Sequence, residues 1–297
     1  MTQVRVCVLT GYGTNCERET AYSCRIAGAD DVVIAHFADL VQETVNLADF
    51  NFLVFPGGFL DGDHLGAAQA AAARFKHTTT RSGRSLVHDI TDLHSRGGAI
   101  LGICNGFQLL VKLGLLPATQ SRYLHRQVSL GHNDSSRFED RWVYLLARKD
   151  SPCIFTRSLE RIYFPVRHGE GKLIAKDQTT LDQIQQGNHI ALQYTDKFGI
   201  PTQEYPDNPN GSDLAIAGLT DPSGRIFGLM PHPEAYNHNT NHPRWPRGEQ
   251  SAHGTVLFAN AMDYLRAKET NKAQQPGQGH FVLRYKEPGV QTVPPLA

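Results

Sequence analysis

The cysteine in GICNGF at residues 102–107 lies between two glycines, which is the setting of a catalytic nucleophile. An apolar run precedes Gly102, and an apolar pattern at helical spacing follows Gly106, so the segment predicts a strand that turns sharply into a helix. It is the cysteine counterpart of the G-x-S-x-G nucleophile elbow. The helix N-terminus points unpaired N–H groups and its positive dipole end toward the sulfur, and both favour the nucleophilic thiolate. Cys104 is therefore the predicted nucleophile.

A second segment, LMPHPEAY at residues 229–236, can supply the proton-transfer groups that such a nucleophile needs. Its two prolines favour an extended chain, in which residues two apart share a face, so His232 and Glu234 are expected side by side. His232 could then act as base and acid, while Glu234 accepts a hydrogen bond from its far nitrogen and fixes its tautomer. Because His232 lies far from Cys104 along the chain, only the fold can bring the two together.

An oxyanion site is the third requirement, and Pro56-Gly57-Gly58 offers backbone N–H groups that no side chain crowds. The N–H of Asn105, beside the nucleophile, is the second predicted donor. Each segment has an ordinary structural explanation by itself, because buried cysteines are common, a histidine between prolines can be a loop residue, and PGG forms turns. Together they favour acyl transfer by a Cys–His–Glu triad.

The elements that position these segments alternate between strands and helices in the first half of the chain. This alternation predicts an α/β fold with an open, mostly parallel, flavodoxin-like sheet flanked by helices. Ligands of such sheets bind beyond the carboxyl ends of the strands, where the PGG loop and the elbow both lie. The predicted strands are 4–9, 32–35, 52–55 and 99–102, and the predicted helices are 17–27, 64–76, 86–95 and 105–113.

An additional β-rich portion follows, from about residue 123 to 230, and we expect it to belong to the same domain, residues 1–268. The tail at 269–297 is rich in Gln, Pro and Gly, and its role is unknown. The predicted strands of this portion are 142–146, 161–166, 189–194, 214–219 and 225–230, and the predicted helices are 179–186 and 251–268.

Composition excludes several classes of function. The 297 residues contain 29 acidic and 29 basic side chains, so no nucleic-acid or membrane partner is expected. No apolar run approaches the roughly 20 residues of a membrane span. The five cysteines form no CxxC pair, so no disulfide framework is predicted. The histidines near residue 240 have no acidic or cysteine ligands at the spacing of a metal site, so no metal site is predicted either. A reducing cytosol is the expected location.

PGGF, GICNGFQ and PHPE, in this order, make the chain similar to the class I glutamine amidotransferases. More narrowly, it resembles the family of glutaminase subunits of phosphoribosylformylglycinamidine synthase. That narrower resemblance rests on GTNCERET, PGGFLDGDHLGA, SSRFEDRWV, PVRHGEGKL and YPDNPNGS, and it covers roughly residues 3 to 266. It implies the class I glutamine amidotransferase fold and the triad of Cys104, His232 and Glu234. By resemblance, the further site residues are the oxyanion donors Gly58 and Asn105, the substrate contacts Gln108, Arg137 and Phe138, and the partner-facing His168.

The resemblance also implies the reaction. L-glutamine would be hydrolysed through a γ-glutamyl thioester, and ammonia would pass to a separate ATP-dependent synthetase subunit, with or without a small accessory subunit, in de novo purine (IMP) biosynthesis. No cofactor is expected on this chain, since ATP and Mg²⁺ would belong to the synthetase. Two alternatives stay open: a stand-alone cysteine hydrolase or peptidase on the same fold, and a scaffold subunit without turnover.

Overall fold

The computed structural model describes residues 3–249, 251 and 253–274. The strands are β1 Arg5–Thr10, β2 Asp31–His36, β3 Phe52–Phe55, β4 Ala99–Ile103, β5 Val128–His132, β6 Glu139–Ala147, β7 Arg161–His168, β8 Glu170–Ala175, β9 Ile190–Thr195, β10 Ile216–Thr220 and β11 Ile226–Leu229. The helices are α1 Glu17–Ile26, α2 Phe37–Gln42, α3 Gln69–His77, α4 Leu86–Ser95, α5 Asn105–Leu113, α6 Gln178–Gln186 and α7 Thr255–Gln274.

Nine of these strands form one sheet in the order β2-β1-β3-β4-β11-β10-β9-β6-β7. The five strands from β2 to β11 run parallel, whereas β10, β9, β6 and β7 continue the sheet with antiparallel pairings. The predicted α/β fold is confirmed. The β-rich portion extends the same sheet rather than forming a second one, apart from the small antiparallel pair of β5 and β8.

The central parallel strands are apolar along their whole length. Every residue of β3 and β4 is buried, as expected for strands that helices cover on both faces. Across the sheet, the connection from β1 to β2 runs in the opposite direction to the connection from β3 to β4. Because both crossovers are right-handed, α1 lies on one face of the sheet, and α3 and α4 lie on the other. On the first face α1 packs against α7, and on the second α3 packs against α5.

The structure differs from the sequence prediction at several boundaries. Helix α3 begins at Gln69 instead of residue 64, because Gly62 and Gly66 adopt positive φ and Ala68 is left-handed, which keeps the preceding residues in turns. Helix α7 continues past the predicted end at 268 to Gln274, and the rest of the predicted tail, from residue 275, lies outside the described residues. Helix α2 and strands β5 and β8 are not among the elements predicted from the sequence.

Across the described residues, no helix is both long and apolar enough to cross a membrane. All five cysteines are unpaired and buried.

Candidate active site

Three neighbouring parallel strands bring the predicted site segments to one edge of the sheet. Strand β4 pairs with β3 on one side and with β11 on the other, so the chain leaves all three at the same end. Cys104 directly follows β4, Pro56-Gly57-Gly58 follows β3, and His232 comes three residues after β11. The Cys104 N–H donates to the carbonyl of Leu229 at 2.7 Å, which ties the elbow to the end of β11.

The backbone of Cys104 has the strained conformation of a nucleophile elbow, with φ 51° and ψ −103°. A non-glycine residue in this region is costly and persists only where the surroundings enforce it. Here helix α5 packs tightly against β3, since a Cβ added to Gly106 would collide with the backbone carbonyl of Phe55. That close approach, rather than a positive φ, explains the glycine after the nucleophile.

His232 and Glu234 form the buried pair that the sequence predicted, although the backbone between them is not extended. Pro233–Ala235 forms a short 3₁₀ turn, so our reason for their proximity was wrong. His232 Nδ1 still lies 2.5 Å from Glu234 Oε1. His232 is 2 % exposed and Glu234 is fully buried, so water does not compete for this hydrogen bond. The backbone N–H of His232 donates a hydrogen bond to the carbonyl of Pro165 at 2.8 Å, which anchors the turn to β7.

Electrostatics couple His232 to Cys104. Burial lowers the pKa of His232, but the interactions of its imidazole with Glu234 and then Cys104 outweigh burial and hold that pKa well above its usual range. Because Nδ1 is engaged by Glu234, Nε2 is the nitrogen left to exchange a proton, and it is buried without a hydrogen-bond partner in the described structure. The Cys104 thiol instead lies 3.6 Å from the carbonyl of Arg167. The resting arrangement therefore keeps the His232 proton-transfer atom available.

Gly58 and Asn105 both present backbone N–H groups without a partner among the described residues. Gly58 has φ +138°, and an added Cβ would lie 2.8 Å from Asn15 N, Gly13 O and Thr14 Cα, so only glycine fits here. Asn105 occupies the first position of α5, where a helix leaves its N–H unsatisfied. The two predicted oxyanion donors thus flank the elbow, where their N–H groups can donate hydrogen bonds to an oxyanion.

The side chain of Gln108 links the elbow to β8. Its Oε1 accepts a hydrogen bond from Asn105 Nδ2 at 3.0 Å, and its Nε2 donates to the Glu170 carbonyl at 2.6 Å. Asn105 Oδ1 in turn accepts from Leu60 N at 3.0 Å. Both polar ends of Gln108 are therefore engaged, and the second N–H of its amide and the second acceptor position of its oxygen are the groups left for a substrate contact.

A cavity of about 430 Å³ opens beside this network, and the predicted substrate residues Arg137 and Phe138 line it. Its volume is within the range of about 300–1,000 Å³ typical of small-molecule sites. The cavity also presents two carboxylates, Asp63 and Glu170. Burial and then the charge of Glu170 raise the pKa of Asp63. The remaining lining residues are Phe59, His132, Ser136 and Gly169.

Residues 3–265 match the sequence profile of the CobB/CobQ-like glutamine amidotransferase domain. The chain belongs to this family. A relative from Dehalococcoides mccartyi, named phosphoribosylformylglycinamidine synthase subunit PurQ, is 40 % identical over 268 residues, which are 90 % of this chain and 99 % of the relative. A protein of the same name from Methanococcus maripaludis is 37 % identical over 88 % of this chain and 97 % of its own length.

A solved structure agrees with these sequence relatives. One chain of the PurLQS structure from Thermotoga maritima superimposes with a TM-score of 0.64 and 28 % identity, covering 89 % of this chain and 100 % of that chain. The predicted class, a glutamine amidotransferase, is confirmed by the family match.

The structure buries His168, which the family resemblance predicted to face the partner. The side chain is 3 % exposed, and its Nδ1 lies 3.0 Å from Asn133 Oδ1. Burial and the charge of His232 lower the pKa of His168 to about 3, so the imidazole is neutral at neutral pH. The side chain lies inside the protein, where the charge of His232 reaches it, and the neighbouring Gly169 and Glu170 line the cavity instead.

Cys16 is the site residue that sequence reasoning missed. It precedes α1, and its sulfur, His232 and Glu234 offer donor atoms within 4.8 Å of one another, a spacing that could hold a metal ion. Burial raises the pKa of Cys16 to about 11, so it is a neutral thiol at neutral pH. His232 is already engaged by Glu234, which suits a catalytic pair. No sequence spacing signals Cys16, because the β1 and β3 loops meet only in the fold.

Proposed function

We propose that this amidotransferase is the glutaminase subunit of phosphoribosylformylglycinamidine synthase. The observation that carries the proposal is the convergence of Cys104, His232 and Glu234 at one sheet edge, in a chain whose near full-length relatives bear that name. These residues suit a glutaminase because they can form and hydrolyse an acyl-thioester without a cofactor.

In the first step, Cys104 passes its proton to His232 Nε2, and the thiolate attacks the side-chain amide carbon of glutamine. The N–H groups of Gly58 and Asn105 stabilise the resulting oxyanion. The leaving nitrogen must take up a proton, and His232 can hold one at neutral pH because Glu234 raises its pKa. Ammonia departs and a γ-glutamyl thioester remains on Cys104.

In the second step, His232 takes a proton from water, and the hydroxide attacks the thioester carbon. The tetrahedral intermediate again places its negative oxygen at the two backbone donors. Its collapse breaks the C–S bond, and the proton held by His232 returns to the Cys104 sulfur. Glutamate is released and the thiol is restored.

The cavity beside Gln108 carries charges that complement a free amino acid. We propose that Arg137 pairs with the α-carboxylate of glutamine, because a guanidinium binds carboxylates in a two-point geometry. Asp63 and Glu170 would attract the α-ammonium group on the opposite side. Phe138, which is 56 % exposed, would cover the aliphatic part of the substrate.

Ammonia would then pass to a separate ATP-dependent synthetase subunit, as the names of the relatives suggest. ATP and Mg²⁺ would act on that subunit, and this chain would need no cofactor. Five unpaired cysteines support a reducing, cytoplasmic location.

The test measures glutamate release from glutamine by the full chain, alone and with the synthetase, ATP and formylglycinamide ribonucleotide. We expect strong stimulation by the complete mixture, since coupled glutaminase sites gain their geometry when a partner and ligand bind. Cys104→Ala should abolish glutamine use while ammonium salts still support the synthetase reaction.

Cys153→Ala is the matched control, because Cys153 is a second buried cysteine that makes no contact with the triad. Its glutamine-dependent activity should remain close to that of the wild type. Glutamine-dependent synthesis by Cys104→Ala would contradict the proposed nucleophile, and an absence of stimulation by the synthetase mixture would contradict the assigned pathway.

A further inference from the structure

A second, basic cavity lies on a part of the protein that the glutaminase reaction does not use. Its volume is about 330 Å³, and Arg122, His125, Arg126 and Lys176 line it together with Asp177. Two arginines and one lysine thus face a single carboxylate, an excess of two positive charges. The remaining lining residues are polar: Gln127, Thr179, Thr180 and Gln183.

The single carboxylate is already engaged in capping a helix. Asp177 Oδ1 accepts hydrogen bonds from Thr180 N and Thr180 Oγ1, both at 2.8 Å, and this holds the start of α6. Among the described residues, Arg122, Arg126 and Lys176 form no ion pair. Asp177 lines the same cavity, and the hydrogen bonds from Thr180 and then the charge of Lys176 lower its pKa. The one carboxylate of this cavity therefore offsets only one of its three cations.

Arg126 is held in place despite this excess of positive charge. Its guanidinium donates to the Val128 carbonyl at 3.3 Å and to Ser129 Oγ at 2.5 Å. Placing like charges together is unfavourable unless an anion joins them.

The cavity lies at the end of β8 that is remote from the glutamine site. Strand β8 begins at Glu170, whose carbonyl binds Gln108, and ends at Ala175, next to Lys176. Its length of six residues separates the two sites by roughly 15–20 Å. A ligand here would not occupy the space of glutamine.

We propose that this cavity binds a phosphate dianion, either free or as the terminal group of a small phosphate monoester. Guanidinium groups bind phosphate oxygens in pairs, and Lys176 and the Thr179 hydroxyl can complete the contacts. A cavity volume at the lower end of the small-molecule range favours a sugar-phosphate-sized ligand, whereas a nucleic acid needs an extended basic stripe.

Isothermal titration calorimetry of the full chain with ribose 5-phosphate and inorganic phosphate tests the proposal, with ribose and succinate as reference ligands. Saturable binding of either phosphate compound, without binding of ribose and with at least tenfold weaker binding of succinate, is expected. Tighter binding of ribose 5-phosphate than of phosphate identifies an organic monoester as the occupant, and equal binding identifies the free ion.

Arg122→Gln and Arg126→Gln should each raise the dissociation constant about tenfold or more, because each removes a charged hydrogen bond. Arg18→Gln, an exposed arginine of α1, is the matched control and should bind like the wild type. Glutaminase activity should be unchanged in all three, because none of these residues touches the catalytic site. No saturable phosphate binding, equal affinity for succinate, or unaltered affinity in both cavity variants would overturn the proposal.

Discussion

Replacement of Glu234 by glutamine tests the assignment of roles within the triad. Glutamine has the same shape as glutamate, so the fully buried position stays filled, but the negative charge is lost. The amide can also donate an N–H to His232 Nδ1, where the carboxylate could only accept. His232 would then carry its proton on Nε2, and this nitrogen could no longer accept the proton of the Cys104 thiol.

The expected loss of kcat follows from the loss of the orienting carboxylate in a Ser–His–Asp triad. Loss of the orienting carboxylate there, with retained shape, lowers kcat by about 10⁴, which corresponds to about 5 kcal/mol of transition-state stabilisation. In this protein Glu234 also raises the pKa of His232, so the variant should lose part of the protonated acid at neutral pH. We therefore expect Glu234→Gln to lower kcat for glutamine by about 10³–10⁴.

The assay is glutamate release in the assembled complex, with the ammonium-dependent synthetase reaction measured in parallel. Ammonium-dependent activity should stay within twofold of the wild type, since the partner is unchanged. Glu19→Gln is the matched control, because Glu19 is a half-buried carboxylate whose pKa is raised by burial and by the Glu234 charge, yet it has no role in the triad. Glutamine turnover by Glu234→Gln within tenfold of this control would refute the reasoning.

Three further predictions follow from the site geometry. Gly58→Ala should lower kcat by about 10²–10³ through the oxyanion site, whereas Gly83→Ala, which has a similarly positive φ but no heavy atom near its added Cβ, should not change kcat. Brief iodoacetamide treatment at pH 8 should label Cys104 before Cys16, whose pKa burial raises to about 11, and peptide mass spectrometry locates the label. The pKa of His168 is lowered to about 3, so the unfolded chain binds a proton that the native protein does not, and stability falls as pH drops below about 6.5 toward 3. In urea unfolding, we expect the free energy of unfolding of His168→Asn to fall by about 2–3 kcal/mol less than that of the wild type when the pH is lowered from 6.5 to 4.5. Labelling of Cys16 first, or equal acid sensitivity of the two proteins, would contradict the respective prediction.

The sequence was most informative where one local rule determined the structure. The bounds of β3, α4 and α5 agree with the prediction, because continuous apolar runs and helical periodicity mark buried strands and amphipathic helices. The proximity of the segments that follow β3, β4 and β11 was also predictable, since the carboxyl ends of parallel strands lie at the same edge of a sheet.

Features that depend on packing between distant segments were not predictable. His168 is the last residue of β7, and only the pairing of β7 with β6 determines which side of the sheet its side chain faces. Cys16 reaches the site because its backbone N–H donates to the Gly57 carbonyl at 3.3 Å, a contact between two loops far apart in sequence. The catalytic roles of the assigned residues stay predictions until the variants are measured.

The β-rich portion takes a direct part in positioning the triad. Strand β7 provides the Pro165 carbonyl that anchors His232 and the Arg167 carbonyl that faces the Cys104 thiol. Strand β8 holds Gln108 through the Glu170 carbonyl. A shift of these strands relative to the parallel half of the sheet would move the proton-transfer groups away from the nucleophile. A partner that binds the loop at residues 133–138, next to β6, could therefore alter glutamine turnover without touching any catalytic side chain.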